Sequence, residues 1–110
     1  MSEARMHQEC VIWFHNTYPE LRGLLCYNNN NSHGGRSGAI NKTMGVVPGR
    51  SDLVLYYSGR ANMIELKTLK GKQSPKQKAW AELVNQQGFP YYLIRSLNDF
   101  KLLCIFILKR

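Results

Sequence analysis

The chain has 110 residues, 44% of them hydrophobic and 20% charged, which excludes a disordered chain and is typical of a single globular domain spanning 1–110. Lysine and arginine outnumber aspartate and glutamate by 15 to 7, and the formal charge of +8 favours a polyanionic partner such as nucleic acid. No apolar run approaches the roughly 20 residues needed to span a membrane, so no membrane association is expected.

The first predicted element is a helix over residues 3–18, where apolar side chains recur at spacings of three and four. Ser2 can cap its start, and Pro19 restricts it to end near Tyr18. Cys10 in this helix and the two other cysteines are far apart and fit no zinc spacing, which indicates reduced thiols in an intracellular protein. Glu9 lies beside the apolar stripe, and by spacing alone it is a surface glutamate.

A short strand is predicted over residues 24–27, followed by an asparagine- and glycine-rich loop over 28–35. This loop is either simply flexible or contacts a substrate, and Arg36 just beyond it is the only support for the second interpretation. A short helix over residues 37–44, with Lys42 exposed, then leads to a hairpin over residues 51–67.

The second half of the chain contains two more helices and a strand. Ser74 is predicted to cap a helix whose capping box is completed by Gln77 and which ends at Gly88. Its predicted apolar face consists of Trp80, Leu83, Val84 and Gln87. A strand over 89–94 and a helix over 97–109 follow, although the apolar run 102–108 also fits a strand. The order α-β-(α)-β-β-α-β-α predicts an α/β domain with a mixed sheet.

Three charges occupy the otherwise apolar hairpin. If Ser58 and Gly59 form a two-residue turn, counting back along both strands places Asp52 opposite Glu65. Lys67 then projects to the same face, because side chains alternate along a strand. Opposed carboxylates destabilise a sheet unless a cation compensates them.

Lys67 supplies one such cation, and Mg²⁺ or Mn²⁺, which prefer oxygen ligands, would supply more. We therefore expect Asp52, Glu65 and the Leu66 carbonyl to bind the metal. Such an ion polarises a scissile phosphate and lowers the pKa of its water. Lys67 is positioned to orient that water and stabilise developing negative charge. The competing interpretation is a salt-bridge cluster on the solvent face of a sheet.

The surroundings favour phosphate binding over a simple salt-bridge cluster. A basic loop follows the hairpin directly and leads into the capped helix. Phosphate contacts require such a positive surface. The predicted nucleic-acid-binding residues are Arg36, Lys42, Arg50, Lys70, Lys72, Lys76 and Lys78.

The ordered motifs resemble a known family. Gly45-x-x-Pro48-Gly49-x-x-Asp52, Ile64-Glu65-Leu66-Lys67, Gly71-x-x-Ser74-Pro75-x-Gln77 and Gly88 are similar to the VRR-NUC domain, the virus-type replication-repair nuclease branch of the PD-(D/E)XK superfamily. The resemblance covers residues 9–96. It implies a restriction-endonuclease-like fold, with a mixed central sheet flanked by helices.

The resemblance also implies roles for individual residues. Asp52 and Glu65 would bind the metal and Lys67 would be the catalytic lysine. The helix acid of the family would fall on Glu9, bound to the metal directly or through water. The family's helix glutamine would fall on Gln77, although the capping box also accounts for that residue. Ser51 departs from the proline that usually precedes the metal-binding aspartate.

The functional expectation is a Mg²⁺- or Mn²⁺-dependent endonuclease. Stand-alone relatives of this size come from phages and bacteria and resemble dimeric resolvases, which implies branched or flap DNA, a homodimer and the cytoplasm of a bacterial or phage-infected cell. The apolar C-terminal segment independently favours a dimer, or else forms the central core helix. Two alternatives stay open, a non-catalytic nucleic-acid-binding module and an accessory subunit of a repair complex.

Overall fold

The computed structural model describes residues 2–28 and 36–109, and the side chains of all of these except residues 36–38. Four helices and four strands follow the predicted order. They are α1 Glu3–Thr17, β1 Leu25–Tyr27, α2 Arg36–Thr43, β2 Leu53–Tyr57, β3 Arg60–Leu66, α3 Pro75–Gln86, β4 Tyr91–Ile94 and α4 Leu97–Leu108, with a short 3-10 turn at Pro19–Leu21. Most of the asparagine-rich loop, residues 29–35, lies outside the described residues.

The four strands form one mixed sheet in the order β1-β2-β3-β4. The pairs β1–β2 and β2–β3 are antiparallel, whereas β3 and β4 are parallel and connected through α3. The carboxyl ends of β3 and β4 therefore lie at the same edge of the sheet, which is the usual place for a ligand in an α/β fold.

The predicted hairpin turn is confirmed. Ser58 and Gly59 have positive φ angles of 55° and 76°, and Tyr57 pairs with Arg60. Two positive φ values in succession define a type I′ turn, whose twist matches that of the flanking strands. The turn fixes the register of β2 against β3, with Leu53 opposite Ile64.

The hydrophobic core lies between one face of the sheet, α1 and α4. Leu53, Ile64 and Leu66 point into it from the strands and are fully buried. On α1 the buried residues are Met6, Cys10 and Phe14, one side of a helix with 3.6 residues per turn. The capping of α1 by Ser2 is confirmed, since the Ser2 hydroxyl accepts a hydrogen bond from the Arg5 backbone N–H.

The C-terminal segment is a helix rather than a strand. Phe100, Leu103, Cys104 and Ile107 of α4 are buried in the core, and the Ser96 hydroxyl accepts from the Asp99 backbone N–H at its start. None of the described helices is long and apolar enough to cross a membrane.

Two predictions for the second half of the chain are wrong in detail. The strand begins at Tyr91 rather than Phe89, because the Phe89 N–H still bonds the Val84 carbonyl of α3 and Pro90 has no N–H to donate. On α3, Leu83 and Gln87 are exposed, and only Trp80 and Val84 of the predicted apolar face are half-buried. Because α3 contacts the sheet chiefly through β4, an apolar stripe narrower than the predicted one is enough to cover the contact.

Candidate metal centre

The open end of the β2–β3 hairpin brings its charged residues together as predicted. The Glu65 side chain has no solvent-exposed area, although it is a carboxylate near the end of a central strand. Lys67 Nζ lies 3.7 Å from Glu65 Oε2. Asp52 precedes β2 directly, and a carboxylate oxygen of its side chain lies within 4.8 Å of one of Glu65.

The Asp52 side chain is held in place by the neighbouring strand. Its Oδ2 accepts a 2.8 Å hydrogen bond from the Leu66 backbone N–H. The Asp52 carbonyl accepts from the Asn28 backbone N–H at 2.7 Å, which extends the β1–β2 ladder by one residue. Ser51 is buried, and its hydroxyl donates to the Leu53 carbonyl at 3.0 Å, so this serine also restrains the chain at the entry to β2.

The third acid of the cluster is Glu3, whereas Glu9 was expected. Carboxylate oxygens of Glu3, Asp52 and Glu65 all lie within 4.8 Å of one another. Glu9 instead pairs with Arg5 on the helix surface, at 3.5 Å from its Nε atom. Six residues of α-helix turn the chain by about 240° and advance it by about 9 Å, so the two acids lie on different sides of α1.

A signal for Glu3 was present in the sequence. It precedes Met6 by three residues and Cys10 by seven, the spacing of one helix face, and both of those residues are buried. His7, four residues after Glu3, also approaches the cluster and packs its ring edgewise on Tyr27 at 4.6 Å. Burial lowers the pKa of His7, and the nearby Asp52 carboxylate opposes that change.

The electrostatics of the cluster favour a bound cation. Burial, followed by repulsion from Asp52, raises the pKa of Glu65 to about 8, and Lys67 only partly opposes the rise. Burial and repulsion from Asp52 raise the pKa of Glu3 as well. Three carboxylates beside Lys67 therefore resist ionising together unless further positive charge enters the site.

Gln77 makes two side-chain hydrogen bonds at the start of α3. Its Oε1 accepts from the Ser74 backbone N–H at 2.8 Å, which completes the predicted capping box. Its Nε2 donates to Glu65 Oε2, also at 2.8 Å. The start of α3 is thereby linked to the buried carboxylate, so the glutamine both caps the helix and orients Glu65.

Gly49 places the loop before β2 against the same helix start. Its φ is +87°, and a Cβ atom there would lie 2.6 Å from the carbonyl carbon and oxygen of Lys76. Only glycine permits both this conformation and this approach. The chain leading to Asp52 thus packs directly beside Gln77.

Tyr91 is a neighbour of the cluster that sequence reasoning missed. Its hydroxyl lies 3.5 Å from Glu65 Oε1 and accepts a hydrogen bond from Gln73 Nε2 at 3.2 Å. Burial and the nearby Glu65 raise the pKa of Tyr91, so this hydroxyl keeps its proton. No local pattern reveals this contact, because it depends on the parallel register of Met63 with Tyr91.

The sequence profile of the VRR-NUC domain matches residues 3–98. The chain belongs to the VRR-NUC family. A solved structure described as a "VRR_NUC domain protein" is similar to it, with a TM-score of 0.84 and 18% identity over 99% of this chain and 89% of that chain. At that identity the likeness shows the fold, a mixed sheet flanked by helices. No curated protein sequence matches the chain.

Membership in VRR-NUC places the chain among nucleases of the restriction-endonuclease-like superfamily. Four of the predicted DNA-binding lysines are exposed, namely Lys70 and Lys72 after β3, and Lys76 and Lys78 on either side of Gln77. Arg50 is half-buried two residues before Asp52, and Lys42 is exposed on α2. The side chain of Arg36 lies outside the described part of the chain.

Proposed function

We propose that this VRR-NUC protein is a Mg²⁺- or Mn²⁺-dependent endodeoxyribonuclease. The observation that carries the proposal is the wholly buried Glu65 carboxylate, which faces two further carboxylates with a lysine beside it. A structural salt-bridge cluster would match acids with bases, whereas among the described side chains three acids lie beside Lys67. Excess buried negative charge costs stability unless a cation is bound.

The residues present fit a hard divalent cation. Asp52 and Glu65 would be ligands, and Glu3 would take the place expected for Glu9, directly or through water. In a strand the N–H and C=O of one residue point to the same side. Since the Leu66 N–H points at Asp52, the Leu66 carbonyl also faces that side and would be the further ligand. When bound, the metal polarises the scissile phosphate and lowers the pKa of a water molecule.

The chain's own residues would perform the remaining steps. Lys67, only 13% exposed, would orient the attacking water and stabilise the negative charge that develops on the phosphate. Gln77 would keep the Glu65 carboxylate oriented, because its amide donates to the same oxygen that faces Lys67. We therefore assign Gln77 a positioning role.

The proposed substrate is branched or flap DNA, in replication, repair or recombination of bacterial or phage DNA in the bacterial cytoplasm. Lysines on both sides of the cluster would contact the phosphates of the DNA backbone. Binding should weaken steeply as the salt concentration rises.

A homodimer is part of the proposal. Leu102, Ile105 and Phe106 are 57%, 43% and 57% exposed and form one stripe on α4, opposite its core face. The same stripe on a second copy of the chain would cover it in a two-fold arrangement. Phe106→Glu should convert the dimer to a monomer in sedimentation experiments, and an unchanged sedimentation coefficient would exclude this interface.

The decisive experiment is a cleavage assay on linear, flap and four-way-junction DNA with Mn²⁺ or with EDTA. We expect Mn²⁺-dependent cleavage, strongest on the branched substrates, and loss of cleavage in Asp52→Asn. Binding of DNA without cleavage in any divalent metal would favour a non-catalytic module, and cleavage that persists in EDTA would exclude the proposed mechanism.

A further inference from the structure

A cavity of about 560 Å³ opens at the carboxyl ends of β3 and β4. Its walls are mainly apolar and come from Met6, Leu69 and Leu97, while Lys70 and Arg95 add positive charge. This volume lies within the roughly 300–1,000 Å³ that ligand pockets occupy.

Two elements of the chain connect the cavity to the proposed catalytic residues. Thr68, which lines it, directly follows Lys67. Met6, which forms part of its wall, lies on α1 one turn after Glu3 and on the same helix face. A DNA strand whose phosphate reaches the acidic cluster would therefore bring its adjacent nucleotide to this cavity.

The loop that forms one wall is held rigidly. Arg95 Nη1 donates to the carbonyls of Thr68, Leu69 and Gly71 at 2.7, 3.2 and 2.7 Å. A Cβ atom at Gly71 would lie 3.1 Å from the Thr68 hydroxyl, so the loop is also tightly folded. These hydrogen bonds hold the loop so that Leu69 lies at the rim of the cavity, with 81% of its surface exposed.

We propose that this cavity binds one unpaired nucleobase of the DNA strand next to the scissile phosphate. The inference rests on the proposed function, because it requires a DNA substrate. A nucleobase is flat and largely apolar on its faces, which suits walls of leucine and methionine, and its attached phosphates suit the exposed Lys70. Enclosing an unpaired base costs little at a flap or junction, where pairing is already broken.

The test uses a series of flap DNAs in which one nucleotide at a time lacks its base. Dissociation constants are measured by fluorescence anisotropy in Ca²⁺ at a fixed salt concentration, and a gel verifies afterwards that the DNA is intact. The proteins are the unmodified chain, Leu69→Ala and the matched control Leu83→Ala. Leu83 is 60% exposed on α3 and does not line the cavity, so both substitutions remove an exposed leucine from the surface.

We expect one abasic position to weaken binding by the unmodified protein about tenfold, the loss typical of removing one base contact. Leu69→Ala should bind intact DNA as weakly as that abasic DNA, and should show no further loss when the base is absent. Leu83→Ala should behave as the unmodified protein does.

Two results would overturn the inference: no abasic position weakens binding, or Leu69→Ala keeps the full sensitivity to the missing base. Cleavage in Mn²⁺ is measured separately on the same DNAs. Cleavage without an abasic-sensitive position would refute the cavity alone, whereas an abasic-sensitive position without cleavage would refute the nuclease and support the cavity.

Discussion

The two ends of the β2–β3 hairpin place charged side chains in opposite environments. At the turn, Arg60 is exposed and Tyr56 keeps 49% of its surface in water. Glu65 lies at the open end of the same strand, five residues after Arg60, and none of its surface is exposed to water. A charge at the turn costs little and indicates nothing about function, but a charge at the open end must be compensated. Burial along the strand therefore distinguishes a candidate site from an ordinary surface.

The strongest test of this comparison removes one basic side chain from each end. Lys67→Ala should lower kcat for DNA cleavage by about 10²–10³-fold, because it removes the donor aimed at the developing charge. Arg60→Ala should leave kcat unchanged, since Arg60 is exposed at the turn. Equal losses of kcat in the two variants would mean that only overall positive charge matters.

A second test concerns the packing that brings α3 to the open end. Gly49→Ala should lower the free energy of unfolding by about 2–4 kcal/mol, through its positive φ and the clash with Lys76. Gly45→Ala is the matched control, because Gly45 has a φ of +94° but no atom lies within 4 Å of the place that its Cβ would take. Gly45→Ala should lower the free energy of unfolding by only about 1–2 kcal/mol. Urea unfolding measures the free energy of unfolding of both variants. Equal losses would show that the close approach of Gly49 to Lys76 is unimportant for stability.

The pH dependence of stability offers a third test. The pKa of Glu65 is raised to about 8 in the folded chain, so the folded state holds this proton more tightly than the unfolded state. The stabilisation is fully present below the ordinary carboxyl pKa of 4.5 and is lost as the pH rises through 8.

Without metal, we expect the free energy of unfolding to fall by about 3 kcal/mol between about pH 5 and pH 8. Glu65→Gln should reduce that slope, and saturating Mn²⁺ should restore stability at high pH. A slope that is the same in Glu65→Gln would show that the carboxyl titrates like an exposed one.

The smallest predicted effect concerns the hydroxyl beside Glu65. Tyr91→Phe removes a group 3.5 Å from Oε1 without changing the ring. We expect Mn²⁺ affinity to fall by about three- to tenfold, as for the loss of one hydrogen bond, with KM for DNA unchanged. Tyr56→Phe, on the exposed end of β2, is the control and should change neither quantity.

Local sequence patterns were sufficient to predict most of the fold. The helix starts at Ser2, Ser74 and Ser96 follow from capping chemistry, and the Ser58–Gly59 turn fixed the hairpin register by itself. Asp52, Glu65 and Lys67 could therefore be brought together without knowledge of the rest of the chain.

The parts of the site that were missed depend on contacts between distant elements. Tyr91 reaches Glu65 only through the parallel pairing of β3 with β4, which a two-residue turn does not determine. Extending the buried stripe of α1 back by one turn indicates Glu3, whereas the family resemblance indicates Glu9. The hydrogen bonds from Arg95 to the loop after Lys67 likewise cannot be predicted from any local sequence pattern.

The most direct test of the proposed metal centre is a calorimetric titration of Mn²⁺ into four proteins: the unmodified chain, Glu65→Gln, Glu3→Gln and Glu9→Gln. We expect saturable binding to the unmodified chain, none to Glu65→Gln, and affinity reduced by about 10–100-fold in Glu3→Gln. Glu9→Gln should match the unmodified chain, because Glu9 pairs with Arg5 on the helix surface. Unchanged Mn²⁺ binding in Glu65→Gln would contradict the proposed centre.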